Sequence, residues 1–80
     1  MTPGRPRTLI QAHEELVRIR PSRDASLTVW LAYYQYSVSL YELIAEIDPD
    51  HEGEALYWAQ RERHRAEQIT TRLRAGRPQQ

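Results

Sequence analysis

The sequence predicts an all-α protein, an up-down-up arrangement of three helices in which a short helix one lies against a long hairpin of helices two and three. Three observations predict it. Apolar residues recur at alternating spacings of four and three from Leu9 onward, as helices with a face turned to a core require. Each run opens on a capping residue and closes at or near Pro or Gly. Nowhere do the 80 residues show the period-two alternation of a strand, and no internal repeat is present.

The elements follow in order. Residues 1–7 carry Pro and Gly punctuation and nothing to bury, so they read as a flexible arm, with 8–75 as a single helical domain and 76–80 as a flexible tail. Thr8 is the predicted N-cap of helix one and Gln11 completes a capping box. Leu9, Ala12, Leu16 and Ile19 make its stripe, and Pro21 stops it. Ser22, Asp24 and Ser26 compete to cap helix two, which runs to about Ile47 and carries two apolar stripes. One is Leu27, Leu31, Tyr34, Val38, Tyr41, Ala45; the other is Val29, Tyr33, Tyr36, Leu40, Leu43, Ile47. An offset of two residues turns the second stripe about 200° from the first. Such a helix needs neighbours on opposite sides. Asp48 and Pro49 predict a sharp start for helix three, Asp48 as N-cap and Pro49 at the first position, where no amide partner is needed. Its core stripe is Ala55, Ala59, Glu62, Ala66, Ile69, Leu73, and Gly76 and Pro78 end it.

Length then predicts a surface. Helix one, at about 11 residues, is roughly 17 Å long, whereas the hairpin helices, at about 24–26 residues, reach roughly 36–39 Å. Helix one is expected to cover the N-terminal half of helix two. The expectation for the far half is an open apolar groove lined by Val38, Leu40, Tyr41, Leu43, Ile44, Ile47, Leu56, Tyr57 and Trp58, to be closed by a second copy or another protein.

Composition excludes several classes. The absence of Cys removes disulfide scaffolds, thiolate nucleophiles and Cys-ligated metals. The longest stretch free of formal charge, Ala25 to Tyr41, contains Ser, Thr, Gln and four Tyr, which suits neither a membrane span nor a signal-peptide core. A soluble cytoplasmic protein is expected. All eleven basic residues are Arg; with Lys, Asn and Phe missing, this is the codon usage of a GC-rich genome, though Arg also suits bidentate contacts with carboxylate or phosphate. Net charge is zero, yet residues 24–60 hold seven acids and no Arg while both ends are basic. The up-down-up topology gathers Arg18, Arg20, Arg23, Arg72, Arg74 and Arg77 at one end of the bundle and Glu42, Glu46, Asp48, Asp50, Glu52 and Glu54 at the other.

Several constellations invite chemistry. Asp48-x-Asp50-x-Glu52-Gly53 resembles the first half of an EF-hand loop, but the position of the bidentate Glu is occupied by Ala59, so the segment reads as an acidic helix start. His13, His51 and His64 form no helical metal pair and read as solvated surface residues. Glu42 and Glu46 lie one turn apart without a nucleophile or oxyanion donor beside them. Glu62 is an oddity on a core stripe, where it reaches out from the edge or pairs with Arg65. No catalytic residue, cofactor, metal or small-molecule substrate is predicted. Arg61, Arg65, Gln68 and Arg72 form an outward stripe on helix three that, with Arg74 and Arg77, offers contacts to nucleic-acid phosphates. Gly-Arg-Pro in both tails is similar to the centre of an AT-hook, but the leading Arg is replaced by Pro3 and Ala75.

Around Ala55-Leu56-Tyr57-Trp58-Ala59-Gln60-Arg61-Glu62-Arg63, Trp30-Leu31-Ala32-Tyr33 and Tyr41-Glu42-Leu43-Ile44-Ala45-Glu46-Ile47-Asp48, the chain resembles a group of small uncharacterised helical proteins of high-GC Gram-positive bacteria. The resemblance spans roughly residues 8–70 and leaves out both tails. It implies a small cytosolic protein, accessory to a helix-turn-helix regulator, and transfers no catalytic residue. The leading expectation is a non-enzymatic interaction or regulatory module that homodimerises or docks on a protein through the apolar aromatic groove. A nucleic-acid-binding or transcription-regulator-associated protein using the Arg pole is the alternative, and a small helical enzyme the third.

Overall fold

A computed structural model describes residues 5–76 of the chain. Three α-helices, α1 (Leu9–Arg18), α2 (Leu27–Ile47) and α3 (Glu52–Ala75), are linked by an eight-residue connection and by a single 3-10 turn over Pro49–His51. Among the described residues there is no strand.

Local chemistry sets each boundary. The Thr8 hydroxyl accepts from the Gln11 amide at 3.2 Å, while the Gln11 side chain reaches back to the Arg7 amide at 2.9 Å, one residue earlier than a capping box would place it. At the other end of α1, the Ile19 amide still bonds Glu15 O, but Pro21 has no amide to continue the ladder. Ser26 is the cap of α2, its Oγ accepting from the Val29 amide at 3.2 Å. Ser22 instead shapes the preceding turn, accepting the Asp24 amide on its hydroxyl and the Ala25 amide on its carbonyl. α3 starts later than predicted. Asp48 caps the 3-10 turn through its carbonyl, which accepts the His51 amide at 2.9 Å, and its carboxylate bonds His51 Nδ1. Pro49 is therefore first in the tight turn that feeds α3. Gly76 closes α3 with right-handed backbone, φ −80°, and its amide bonds Arg72 O.

The core lies at one end of the bundle. Leu9, Ala12 and Leu16 of α1, Leu40, Tyr41, Ile44 and Ala45 of α2, and Ala55 and Ala59 of α3 form one buried cluster, with Tyr33 and Trp58 packed on it. Four alanines let the three backbones approach closely around the two bulky side chains Tyr41 and Ile44. Along the rest of the hairpin only Ser37, Ala66 and Ile69 are buried among the described residues. The Ser37 hydroxyl is satisfied by Tyr33 O at 2.9 Å.

The position of α1 corrects the expectation from helix lengths. The Leu16 carbonyl accepts the Tyr33 hydroxyl at 2.8 Å and His13 Nδ1 lies 2.7 Å from the Tyr41 hydroxyl, so α1 covers α2 from about Tyr33 towards Ala45. The connection from Ile19 to Ser26 is the physical reason. It spans the first turns of α2 in extended and turn conformation, which carries α1 along the hairpin to the C-terminal half of α2. Trp30 anchors this connection, its indole donating to Ser22 O at 3.2 Å.

Candidate functional site

The displaced α1 takes apart the expected groove. Ile44 is 0% exposed and Leu40 and Tyr41 are buried, all three inside the monomer core. The remaining residues face different ways. Val38 is half-buried on the hairpin side that also holds Arg63, Ala66 and Thr70. Leu56 lies with Glu42 and Arg63, which form an ion pair across the hairpin, Arg63 donating to Glu42. Trp58 packs on the core under α1, and the exposed Tyr57 meets its ring edge-on. Leu43 and Ile47 stand apart from these.

Leu43 and Ile47 belong to a different surface. Val29, Tyr36, Leu43 and Ile47 are 48%, 42%, 37% and 47% exposed. At about 100° per residue they fall within one narrow sector of α2, on the side away from α3. This outer flank runs nearly the full length of the helix. In the chain, Arg20 and Arg23 precede its N-terminal end, and Glu46, Asp48 and Asp50 flank Ile47 at the other. Midway, the Tyr36 hydroxyl reaches Glu15 of α1 at 3.4 Å.

The arginines gather differently from the predicted solvent stripe. A cleft of about 910 Å³ opens where the N-terminal turns of α2 face the C-terminal half of α3, lined by Arg20, Arg23, Trp30, Tyr34, Arg65 and Arg72 among others. Glu67 is the one acid on its lining among the described residues. The Arg20 guanidinium lies 5.5 Å from the centre of the Trp30 ring and that of Arg65 lies 6.0 Å from the Tyr34 ring. Arg61 similarly lies over Trp58 at 5.1 Å. Arg61, Gln68 and Arg72 are exposed on the outward stripe, while Arg65 is half-buried against Tyr34. Arg74 is exposed in the last turn of α3, and Arg77, with Pro3 and with Gly4 and Pro78 of the Gly-Arg-Pro tripeptides, lies outside the described residues.

Glu62 lies between Arg61 and Arg65. Its carboxylate is mostly withdrawn from solvent, 3.8 Å from Arg61 and 3.9 Å from Arg65, and Oε2 is buried without a hydrogen-bond partner. Two guanidinium groups outside a half-sunk carboxylate offset its desolvation. Tyr33 and Tyr41 stand on the inner side. Burial pushes the Tyr41 phenol up to about 12, the Glu62 charge adding to the shift. Burial likewise raises Tyr33, where Arg20 opposes it and Glu62 reinforces it. Both phenols remain protonated hydrogen-bonding groups at neutral pH. His13, expected on the surface, is instead half-buried, its ring edge-on to Tyr41 at 5.4 Å and to Trp58 at 5.2 Å.

The sequence places Arg20, Arg23 and Arg72 at one end of the bundle and Tyr34 on an apolar stripe of helix two, but does not show that Trp30 and Tyr34 share a cleft with these arginines. The available signal was the short distance in sequence between Arg20, Arg23 and Trp30. Among the described residues no three His, Asp or Glu side chains converge to hold a metal, and no helix is long and apolar enough to cross a membrane. No family model, curated protein or solved structure matches the chain.

Proposed function

We propose that the protein is a non-enzymatic helical interaction module whose working surface is the outer flank of α2, closed by a second copy running antiparallel. The observation that carries this reading is the row Val29, Tyr36, Leu43 and Ile47, four large side chains left 37–48% exposed along one line. A continuous apolar row on a small bundle favours association, because each side chain it covers gains hydrophobic free energy. Charge selects the orientation. An antiparallel copy sets Arg20 and Arg23 of one chain beside Glu46 and Asp50 of the other at both ends, whereas a parallel copy opposes like charges.

Light scattering after size exclusion tests it, at concentrations up to about 1 mM, where even an association of about −4 kcal/mol registers. The expected species is a dimer that weakens as salt rises and becomes monomeric on Leu43→Glu with helicity unchanged. The orientation has its own readout, because the chain contains no native Cys. Val29→Cys mixed with Ile47→Cys is expected to oxidise to the mixed disulfide, while each alone stays reduced. A monomer throughout sinks the self-association reading, and self-crosslinked Val29→Cys sinks the orientation.

A further inference from the structure

We infer that the arginine and aromatic cleft between the start of α2 and the C-terminal half of α3 is a binding site for single-stranded nucleic acid. Four cations, Arg20, Arg23, Arg65 and Arg72, converge on one concavity whose walls are the rings of Trp30 and Tyr34. This pairing of groups is specific in its chemistry. Guanidinium forks match phosphate oxygens bidentately, and an aromatic face accepts any unstacked base.

The geometry favours an unpaired strand over a duplex. The aromatic faces are recessed between two helices, where a flexible strand can insert a base and a duplex cannot turn one out without first unpairing it. Two of the rings already carry a guanidinium, Arg20 on Trp30 and Arg65 on Tyr34. Those stacked cations mark the faces a base would take. On binding, the guanidinium moves from the ring to a phosphate and the base takes its place, so each ring keeps a stacking partner.

Glu62 contributes as a positioning residue. It lies 3.9 Å from Arg65 Nε, which leaves the terminal nitrogens of that guanidinium to reach into the cleft. Four further polar residues of α3 line the cleft, His64, Glu67, Gln68 and Thr71, and of these Glu67 opposes phosphate. Arg20 and Arg23 are shared with the charge pairs at the ends of the proposed dimer, so the cleft is tested at Trp30, Tyr34, Arg65 and Arg72, which the outer row of α2 does not include.

The probe is a fluorescein-labelled oligothymidine of about 12 nucleotides, within the span of small single-strand sites. Anisotropy at low salt is expected to show binding whose logarithm falls against log salt with a slope of about −3, from four phosphate contacts at about 0.7 each. Arg65→Gln and Arg72→Gln, both on the α3 wall, are each expected to weaken binding and lower the slope by about 0.7 with the circular dichroism spectrum unchanged. Trp30→Ala is expected to cost about tenfold for the oligothymidine and little for inorganic polyphosphate of equal charge. Because Trp30 also anchors the α1–α2 connection, Tyr34→Leu serves as the second stacking variant and is expected to show the same discrimination. The proposal is overturned by absence of binding at low salt, by indifference to both Arg variants, by equal loss for oligothymidine and polyphosphate, or by a blunt duplex of the same length binding as tightly.

Discussion

The two ends of the bundle are built on opposite plans. At the end where α2 turns into α3, three helices meet and the core closes around Ile44 with alanines at 12, 45, 55 and 59. At the other end only α2 and α3 face one another, and Leu27, Trp30 and Tyr34 are half-buried around an open cleft. Ten residues of α1 cannot cover both. The difference teaches that stability and recognition are segregated along this molecule. The closed end supplies most of the burial, and the open end keeps large rings and guanidinium groups partly wet, where they are available to a ligand.

The sharpest break of that comparison is Ile44→Asp. A carboxylate placed at a fully buried position among Leu9, Leu16 and Ala55 has no partner, so a loss of about 4 kcal/mol or more and global unfolding are expected by circular dichroism. The equivalent change on the outer flank, Val29→Asp, is expected to leave the spectrum and the urea midpoint nearly unchanged. If Ile44→Asp folds like the parent, the closed end is not the core.

A smaller effect isolates the seam between α1 and the hairpin. Tyr41→Phe removes the hydroxyl bonded to His13 and is expected to cost about 1 kcal/mol in urea denaturation. It also changes the alkaline limb. The Tyr41 phenol is raised from 10.0 to about 12 in the folded protein. Its contribution is therefore complete below pH 10, declines as the unfolded chain ionises first, and is lost by about pH 12. The variant is expected to show a shallower decline over that window, and an identical decline would place the alkaline transition elsewhere.

The smallest expected effect lies in the turn before α3. The hydrogen bond and charge of Asp48 raise His51 above 6.5. A raised His favours folding while protonated, so this contribution is complete below pH 6.5 and fades as pH rises through the higher folded value. His51 is exposed, and solvent screens the pair. His51→Gln is expected to flatten the pH dependence of Tm near neutrality by a small margin, and an unchanged profile would show the pair to be energetically idle.

Much of the fold was legible in the residues themselves. Thr8 capped α1 as read, Ser26 was among the three candidates for α2, and Ala55, Ala59, Ala66 and Ile69 are the buried stripe of α3. These are local facts, fixed by hydroxyl, amide and side-chain spacing within a few residues. The candidate site was less legible. The opposed stripes of α2 announced two neighbours, yet periodicity carries no information on how far α1 slides along the helix. That translation turned Leu40, Tyr41 and Ile44 from a docking surface into a core, moved the exposed apolar row to Val29, Tyr36, Leu43 and Ile47, and buried the side of His13 that touches Trp58.

The sequence by itself determined three helices, their caps and breaks, the two-faced character of α2 and the separation of charge into an arginine end and an acidic end. Each depends on interactions between residues a turn or less apart, or on the topology that short connections impose. Tertiary structure decided which half of α2 receives α1, that Glu62 lies between Arg61 and Arg65, and that Trp30 and Tyr34 line a cleft with four arginines. Those outcomes depend on the path of Ile19 to Ser26 and on which backbones can approach across small side chains. Both are settled by packing in three dimensions, which no single segment contains.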